Sequence, residues 1–408
     1  MIGLLHRQIW QRLPYGLRRA ALFHASSLLA PRPGRGAIAA EPVIVAGAFR
    51  ASSGLGRITR LMFEGLRAAG VPAVAVDITA GLRQPADLPP PADPGQAGAG
   101  QGTLIVCVNA PLTGMALLAI GRQVASGKRV IGLWNWELPE VPAEWRLGVR
   151  LVHEIWVSSA FTAAAIRPIA GDKPVHVVDY PINLHPPSPR PPRQPGAPFT
   201  VLCMFDAASS VTRKNPEGAI EAFCRAFGTD PSARLVLKAQ RLAAAPEQKA
   251  RLEALAAAPN IEILDATLDD AGLDALYDRA DVLLSLHRAE GYGLTLAEAM
   301  RRGLPVVATG WSGNADFVSE EVGIPVPWTL VPAEDPQRTY HHPHMRWAEP
   351  DLDAAAVALR RLREEAGLAA RLGAAGAAFA AARWNAPAWC DRLAATGAIH
   401  RRPAAGGA

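Results

Sequence analysis

Short apolar runs alternate with longer amphipathic stretches along most of the chain. The runs are typical of buried parallel strands, and the amphipathic stretches are typical of the helices that connect such strands. The pattern therefore predicts an α/β fold with crossover helices. The first series of predicted strands is 42–48, 71–76, 104–108, 130–133, 155–157 and 175–178. The second series is 199–205, 233–237, 261–264, 282–286 and 305–308.

A segment rich in proline and arginine, residues 181–198, separates the two series and lacks the pattern of a core element. We predict two doubly wound Rossmann-like domains around this linker, with a ligand crevice between them at the carboxyl ends of the strands. Residues 325–350 are predicted to be an irregular loop, and residues 352–379 an alanine-rich helical tail. The predicted parts are a basic segment at 1–40, a first domain at 41–180 completed by 385–408, the linker at 181–198, and a second domain at 199–384.

The chain has 408 residues and a net charge of +5, which is concentrated at its start. No basic stripe interleaved with aromatic residues is present, so nucleic acid is not an expected partner. The stretch from Leu4 to Leu29 suits a helix on an anionic membrane surface, or an amphipathic helix packed on its own domain. Six arginines and no acidic residue lie within positions 1–40: Arg7, Arg12, Arg18, Arg19, Arg32 and Arg35.

The four cysteines are scattered without disulfide or metal-ligand spacing, which fits a reducing cytoplasm. No apolar run is long enough for a membrane span, and no signal peptide is expected. We therefore predict a cytoplasmic protein, with possible attachment to the inner face of the plasma membrane through its basic start.

The segment of residues 287–300 carries the strongest chemical signal. Glu290 follows a predicted strand, and Glu298 lies on the next predicted helix. The glycines between them allow close approach of a ligand, and the helix N-terminus favours a diphosphate. Carboxylates accept paired hydrogen bonds from sugar or ribose hydroxyls. The alternatives are a solvated Glu290 and an ion pair between Glu298 and Arg302.

The Glu-x7-Glu arrangement, with Glu-Gly-Tyr-Gly-Leu inside it, resembles the donor-site signature of GT-B retaining glycosyltransferases of family 4. The resemblance extends over about residues 40–389. It implies that Glu290 contacts the transferred sugar and that Glu298 contacts the ribose of the nucleotide. It also implies that the backbone of Gly291, Tyr292, Gly293 and Leu294 faces the sugar and phosphates.

Residues 205–216 follow a strand and precede a helix whose predicted cap is Asn215, with Pro216 at its first position. Lys214, beside that helix N-terminus, can neutralise a leaving diphosphate in place of a metal. Lys238 ends the next strand and adds a second cation. The resembled family has an upstream Gly-Arg pair where this chain has Ser209 and Ser210. Arg213 or Lys238 then substitutes for that arginine, unless Arg213 is merely solvated.

Two further loops follow predicted strands. Gly54 and Gly56, followed by Arg57, match the glycine-rich loop that closes over acceptor and phosphate in the resembled family. A nicotinamide site is disfavoured because the fingerprint is incomplete. Trp134 and Trp136 form either a platform under a sugar or part of the core. Asn135 or Glu137 stands where relatives carry a histidine that touches the sugar.

A metal site is not expected. His341, His342 and His344 lack a cysteine or glutamate partner at ligand spacing, and Asp351 is predicted to cap a helix.

The resemblance implies a retaining transferase that needs no metal or other cofactor and uses a UDP- or GDP-linked hexose of mannose or glucose type. The expected acceptor is a lipid-linked molecule, an oligosaccharide or a polysaccharide of the cell envelope. The alternative is a non-catalytic, membrane-attached binding subunit of a polysaccharide assembly complex.

Overall fold

The computed structural model describes residues 14–399 except 35, 186, 188, 189, 192 and 341–343. It contains two six-stranded sheets in which all strands run parallel. The first, in the order β2-β1-β3-β4-β5-β6, comprises β1 (Val43–Gly47), β2 (Ala73–Asp77), β3 (Gly102–Cys107), β4 (Lys128–Trp134), β5 (Glu154–Val157) and β6 (Val175–Val177). The second, in the order β12-β11-β10-β7-β8-β9, comprises β7 (Phe199–Asp206), β8 (Ala233–Gln240), β9 (Ile261–Asp265), β10 (Val282–Ser285), β11 (Val306–Thr309) and β12 (Ile324–Val326). The predicted α/β fold is therefore confirmed.

Helices cover both faces of each sheet, which explains why the central strands are apolar along their whole length. In the described part of the first domain they are α1 (Tyr15–Leu29), α2 (Gly54–Ala68), α3 (Thr113–Ile120), α4 (Arg122–Ala125), α5 (Arg146–Val149) and α6 (Ala160–Ala170). In the second domain they are α7 (Val211–Lys214), α8 (Pro216–Phe227), α9 (Pro246–Leu255), α10 (Asp270–Arg279), α11 (Leu294–Arg301), α12 (Leu352–Glu364) and α13 (Leu368–Arg383). A last helix, α14 (Ala386–Ala394), follows.

Local sequence determines the ends of the helices that flank the cleft. Asn215 accepts a hydrogen bond from the Gly218 amide at 3.1 Å, and Pro216 occupies the first position of α8. Asp351 accepts hydrogen bonds from the first amides of α12. Both predicted caps are confirmed, and each satisfies amides that the helix itself leaves unpaired.

The prediction of an irregular loop at 325–350 is wrong. The segment contains the end of β12 and an antiparallel hairpin of β13 (Trp328–Pro332) and β14 (Arg346–Pro350). Most of β13 is exposed, so its sequence lacks the alternation that reveals a strand. The predicted single helical tail is two helices, α12 and α13, because Gly367 adopts a left-handed φ of 80° between them.

The end of the described chain returns to the first domain. The Trp389 ring of α14 is fully buried beside Gly65 and Pro181. Its indole N–H donates to the Asp179 carbonyl oxygen at 2.8 Å. The Asp179 carboxylate accepts hydrogen bonds from Arg383 and Arg392. The two domains are thus joined by this return as well as by the segment after β6.

Helix α1 packs on the first domain through Phe23, Ser26 and Ser27, which are buried. Its opposite side leaves Leu17 59% exposed and Leu28 72% exposed. One face of the helix therefore agrees with the predicted alternative of a helix packed on its own domain. The other face is apolar and exposed to solvent. Residues 1–13, where the predicted segment begins, lie outside the described residues. Among the described helices, none combines the length and apolarity needed to cross a bilayer.

Candidate active site

The candidate segments meet where the parallel strands of both sheets end. Lys214 lies after β7, and Glu290 lies after β10, the strand paired with β7 at the centre of the second sheet. Connections leave these two strands in opposite directions, which opens a crevice at the edge of the sheet. The loops after β1 and β4 of the first domain face the same crevice.

Glu290 is the charged centre of this crevice. The Lys214 ammonium donates a hydrogen bond to its Oε1 atom. Burial alone raises the pKa of Glu290, but the charges of Lys214 and Arg213, together with the hydrogen bond from Lys214, outweigh burial and lower the pKa to about 2. Glu290 is therefore ionised at neutral pH, and its oxygens can only accept hydrogen bonds.

The loop after β11 fixes the backbone of Glu290. The Glu290 amide donates to Ser312 Oγ at 2.8 Å, and the Gly313 amide donates to the Glu290 carbonyl oxygen at 2.9 Å. Ser312 has a left-handed φ of 73°, which marks a constrained turn. Sequence reasoning missed this loop, although it follows a strand like the loops that were selected.

Arg213 lies behind Glu290 rather than in the open crevice. The residue is 1% exposed, and its NH1 atom donates to the Ala289 carbonyl oxygen at 2.6 Å and lies 3.5 Å from Glu290 Oε1. Its NH2 atom donates to Ser209 Oγ at 2.7 Å. The structure thus contradicts the solvated alternative, and the placement suits a residue that holds Glu290 more than one that binds phosphate directly.

A strap formed by residues 333–340 covers Arg213. Tyr340 places its ring 5.1 Å from the Arg213 guanidinium and 5.5 Å from the Trp136 ring of the first domain. Burial raises the pKa of its hydroxyl well above the usual value, and the nearby Glu137 carboxylate raises it further. Asp335 anchors the strap by accepting a hydrogen bond from Ser210 Oγ at 2.8 Å.

Sequence reasoning missed Tyr340 and Asp335. Both lie in the segment that was predicted to be irregular. Their contacts with Ser210, Arg213 and Trp136 join residues that are more than a hundred positions apart along the chain, so no local pattern predicts those contacts.

Glu298 pairs across the cleft and not within its own helix. Its Oε1 atom lies 3.3 Å from Arg57 Nε of the first domain, and its Oε2 atom accepts a hydrogen bond from the Tyr277 hydroxyl at 3.3 Å. Arg302 instead pairs with Asp274. The alternative pairing of Glu298 with Arg302 is therefore wrong.

The two glycines of the first loop differ in their surroundings. A side chain at Gly56 would overlap the carbonyl oxygens of Ala51 and Ala48, whereas Gly54 faces open space at the first position of α2. Arg60 donates hydrogen bonds to the Ala51 and Phe49 carbonyl oxygens at 2.9 and 2.7 Å. The loop is therefore held tightly against its own helix.

Lys238 is buried at the end of β8, and burial lowers its pKa. Its ammonium donates to Gln240 Oε1 at 3.4 Å. The Gln240 amide in turn donates to Ser52 Oγ in the first domain at 3.1 Å, and Ser52 Oγ donates to Asp87 at 2.6 Å. This series of hydrogen bonds connects Lys238 to the loop that carries Gly54 and Gly56.

The tryptophans at the end of β4 and just after it belong to the core. Trp134 is 0% and Trp136 6% exposed, so neither indole forms a platform under a sugar. Asn135 Oδ1 accepts hydrogen bonds from Ser158 Oγ at 2.9 Å and from the Tyr180 hydroxyl at 2.7 Å. Of this segment, the half-buried Glu137 and the Asn135 amide remain as polar groups beside the crevice.

The segment 291–294 lies where the domains touch. The Gly291 carbonyl oxygen accepts a hydrogen bond from Ser159 Oγ of the first domain at 2.7 Å. The Tyr292 ring is buried against Tyr180 and does not line the crevice. Gly293 has a left-handed φ of 98°, and Leu294 begins α11, whose first turn has no side-chain cap. Its amides can therefore bind an anion.

His287 is buried between Ser285 and Asn314, with its Nε2 atom 2.8 Å from Asn314 Oδ1. Burial lowers its pKa to about 4, so it is neutral at pH 7. No group of side chains able to hold a metal occurs among the described residues. Of the three discounted histidines, His341 and His342 lie outside that part of the chain.

A family model described as Family 4 Glycosyltransferase in conflict systems matches residues 157–385. No curated protein sequence matches the chain.

Solved structures share its two-domain fold. Sucrose-phosphate synthase of Thermosynechococcus elongatus has a TM-score of 0.61 and 15% identity, over 88% of this chain and 98% of that one. Anabaena HepE, in complex with UDP-glucose, has a TM-score of 0.58 and 13% identity, over 87% and 98%. A mutant of S. aureus TarM, in complex with fondaparinux, α-GlcNAc-glycerol and UDP, has a TM-score of 0.53 and 13% identity, over 72% and 55%. The chain thus spans only 55% of the length of TarM. At these identities the likeness shows the fold alone.

Proposed function

The chain belongs to the family 4 glycosyltransferases in conflict systems and has the GT-B fold. From that premise we propose that it transfers a hexose from a nucleoside-diphosphate sugar, with retention of configuration and without a metal. The observation that carries this proposal is the ionised Glu290 beside Lys214, at the centre of the second sheet. Glu298, on the helix that follows, supplies a second carboxylate in the same cleft.

Different residues would bind the ribose, the diphosphate and the hexose of the donor. Glu298 would accept hydrogen bonds from the ribose hydroxyls after Arg57 and the Tyr277 hydroxyl release it. Lys214, together with the uncapped first turn of α11, would lie beside the diphosphate, with Lys238 as a further cation. Glu290 would accept hydrogen bonds from hydroxyls of the hexose, a sugar of glucose or mannose type.

The chemistry follows from where charge develops. As the bond between the sugar and the diphosphate breaks, Lys214 neutralises the leaving oxygen, a task that a metal performs in other transferases. The positive charge on the sugar is balanced by the diphosphate, which stays on the face that the acceptor hydroxyl then attacks. The proton of that hydroxyl passes to the departing diphosphate oxygen as the new bond to the sugar forms. Arg213 acts through Glu290, which it holds from behind under Tyr340.

UDP is the nucleotide to test first, because the structurally similar HepE and TarM are complexes that contain it. The proposed acceptor is an oligosaccharide, a polysaccharide or a lipid-linked molecule of the cell envelope. The exposed apolar side of α1 supports peripheral contact with an anionic membrane on the cytoplasmic side, since its leucines are open to solvent and no acidic residue occurs in positions 1–40.

Calorimetric titration with UDP, GDP and their glucose and mannose conjugates, in the presence of EDTA, tests the donor site. We expect one nucleotide family to bind, and Glu298→Ala to abolish that binding. Glu253→Ala, an exposed glutamate of the second domain, serves as the matched control and should bind like the wild type. Absence of binding for every nucleotide would refute the proposal.

One observation favours a second candidate, a non-catalytic subunit of a polysaccharide assembly complex. Ser209 and Ser210 stand where the resembled family has its phosphate arginine, and Arg213 is buried. Release of UDP from UDP-sugar separates the two candidates, because a binding subunit would bind the donor without any turnover.

A further inference from the structure

Three partly exposed aromatic rings form a row across the boundary between the two domains. Phe161 lies in the first turn of α6 in the first domain, Trp311 in the loop after β11, and Trp328 at the start of β13. The ring centres of Phe161 and Trp311 are 4.9 Å apart, and those of Trp311 and Trp328 are 5.9 Å apart. These three residues are called the aromatic row.

The aromatic row is continuous with the donor site. Trp311 precedes Ser312, whose Oγ accepts the hydrogen bond from the Glu290 amide. Phe161 follows Ala160, whose amide donates to Asp316 at 2.7 Å across the domain boundary. The row therefore adjoins the loop that fixes the backbone of Glu290, and it has residues from both domains.

The exposure of the row is unusual for this chain. Trp328 is 37% exposed and is the one aromatic residue among the large apolar side chains that stand exposed in the described part of the chain. Its indole N–H donates to the Gly310 carbonyl oxygen at 2.9 Å, so the ring has a fixed orientation. In contrast, the tryptophans at 134, 145, 156, 347, 384 and 389 are buried. An exposed ring that is nevertheless held in place is typical of a binding surface.

We propose that the aromatic row binds pyranose rings of a glycan acceptor, next to the site of transfer. The proposal rests on the proposed function, because it places the acceptor by reference to the sugar held at Glu290. Pyranose rings present faces of C–H groups that pack on aromatic rings, while their hydroxyls point outward. The exposed Asp316 carboxylate, beside Phe161, can accept hydrogen bonds from those hydroxyls. A glycan longer than one sugar unit would extend from the donor site along the row towards Trp328.

Affinity electrophoresis tests this surface with gels that contain soluble starch, laminarin, yeast mannan or galactomannan. We expect at least one polysaccharide to retard the wild-type protein, and Trp328→Ala to weaken that binding by about tenfold, the effect of losing one well-placed ring contact. Trp328→Phe, which keeps an aromatic face, should retain most of the retardation. Leu255→Ala, which removes an exposed apolar side chain of α9, is the matched control and should behave like the wild type.

Either of two results would overturn the inference: no retardation of the wild type by any of the four polysaccharides, or equal retardation of Trp328→Ala. Loss of binding to phosphatidylglycerol vesicles in Trp328→Ala, without loss of polysaccharide binding, would assign the row to a membrane and also overturn it. UDP calorimetry on the same preparations separates this test from the proposed function. A wild type that binds UDP but no glycan refutes the row alone, and one that binds glycan but no nucleotide refutes the donor site alone.

Discussion

At the scale of single residues, Glu290 is surrounded by three neighbours that differ in exposure, and the charges of two of them, Lys214 and Arg213, keep it ionised. Lys214 is part-buried and donates directly to the carboxylate, while Arg213 and His287 are fully enclosed. Lys214 is therefore the member of this group that a ligand in the crevice can reach. Arg213 and His287 act on the ligand only through Glu290 and the loop that carries it.

Glu290→Gln keeps the shape of the side chain but removes its charge and one strong acceptor. We expect transfer or donor hydrolysis to fall by about 10²–10³-fold, the usual cost of losing a preorganised polar group at a developing charge. UDP binding should persist, because Glu298 and Lys214 remain. Turnover assays together with UDP calorimetry measure the two effects, and near-normal turnover would remove Glu290 from the site.

Arg57→Gln tests whether Arg57 occupies the position of the ribose in the ligand-free protein. Its ion pair with Glu298 is part-exposed, and such pairs are worth less than about 1 kcal/mol. We therefore expect UDP to bind up to about fivefold tighter to this variant. Weaker binding would show instead that Arg57 contacts the nucleotide, and calorimetry at equal ionic strength distinguishes the two results.

At the scale of elements, local sequence patterns correctly predicted the features that local interactions determine, namely the buried strands and the helix caps. The predicted strands exist because parallel strands in the middle of a sheet are apolar throughout, and Asn215 and Asp351 cap helices through contacts two or three residues away. The hairpin β13–β14 was not predicted, because the mostly exposed strand β13 lacks the alternation of apolar and polar residues that reveals a strand.

The same distinction explains the outcome at the site. The sequence indicated Glu290, Glu298 and Lys214, since each lies on a loop or helix that directly follows a predicted strand. The burial of Arg213 under Tyr340 depends on a contact between segments far apart in the chain, and so does the burial of Trp136. No periodicity in the sequence reports such contacts.

The loop that precedes α2 provides a matched pair of variants. Gly56→Ala would place a methyl group against the Ala51 carbonyl oxygen, which Arg60 also binds, so the loop has to shift. We expect a loss of about 1–3 kcal/mol in the free energy of unfolding, as in other overpacked sites. Gly54→Ala enters open space and should change stability by less than about 1 kcal/mol. Urea unfolding measures both, and equal stability of the two variants would contradict the prediction.

At the scale of the whole molecule, the domains touch at the candidate site itself. Hydrogen bonds from Ser159 to Gly291, from Gln240 to Ser52 and from Arg57 to Glu298 all cross the cleft. A nucleotide sugar has to replace some of these contacts. Binding and the relative position of the domains are therefore coupled.

Acid should destabilise the protein in two steps. The lowered pKa of His287, about 4 against 6.5, means that the unfolded chain binds a proton more readily, so the free energy of unfolding falls as the pH drops from about 6.5 towards 4. Glu290, with a pKa of about 2 against 4.5, adds a loss as the pH drops from about 4.5 towards 2. Urea unfolding at a series of pH values tests this, and His287→Gln should flatten the upper step. An unchanged slope in that variant would contradict the assignment.

The exposed side of α1 determines how the molecule would meet a membrane. Leu17→Glu combined with Leu28→Glu should weaken co-sedimentation with phosphatidylglycerol vesicles by about tenfold or more, because each change removes apolar area and adds repulsion. Leu255→Glu, an exposed leucine of the second domain, is the control. Equal co-sedimentation of both variants would leave the helix with a packing role only.

The return of α14 to the first domain has a mechanical consequence. The chain passes between the domains twice on the same side, and Asp179 joins the return to the segment after β6 through Arg383 and Arg392. Two adjacent connections restrict the relative motion of the domains to a rotation about the edge where both connections lie. We therefore expect the domains to rotate about that edge, so that the cleft between them opens most at the opposite edge.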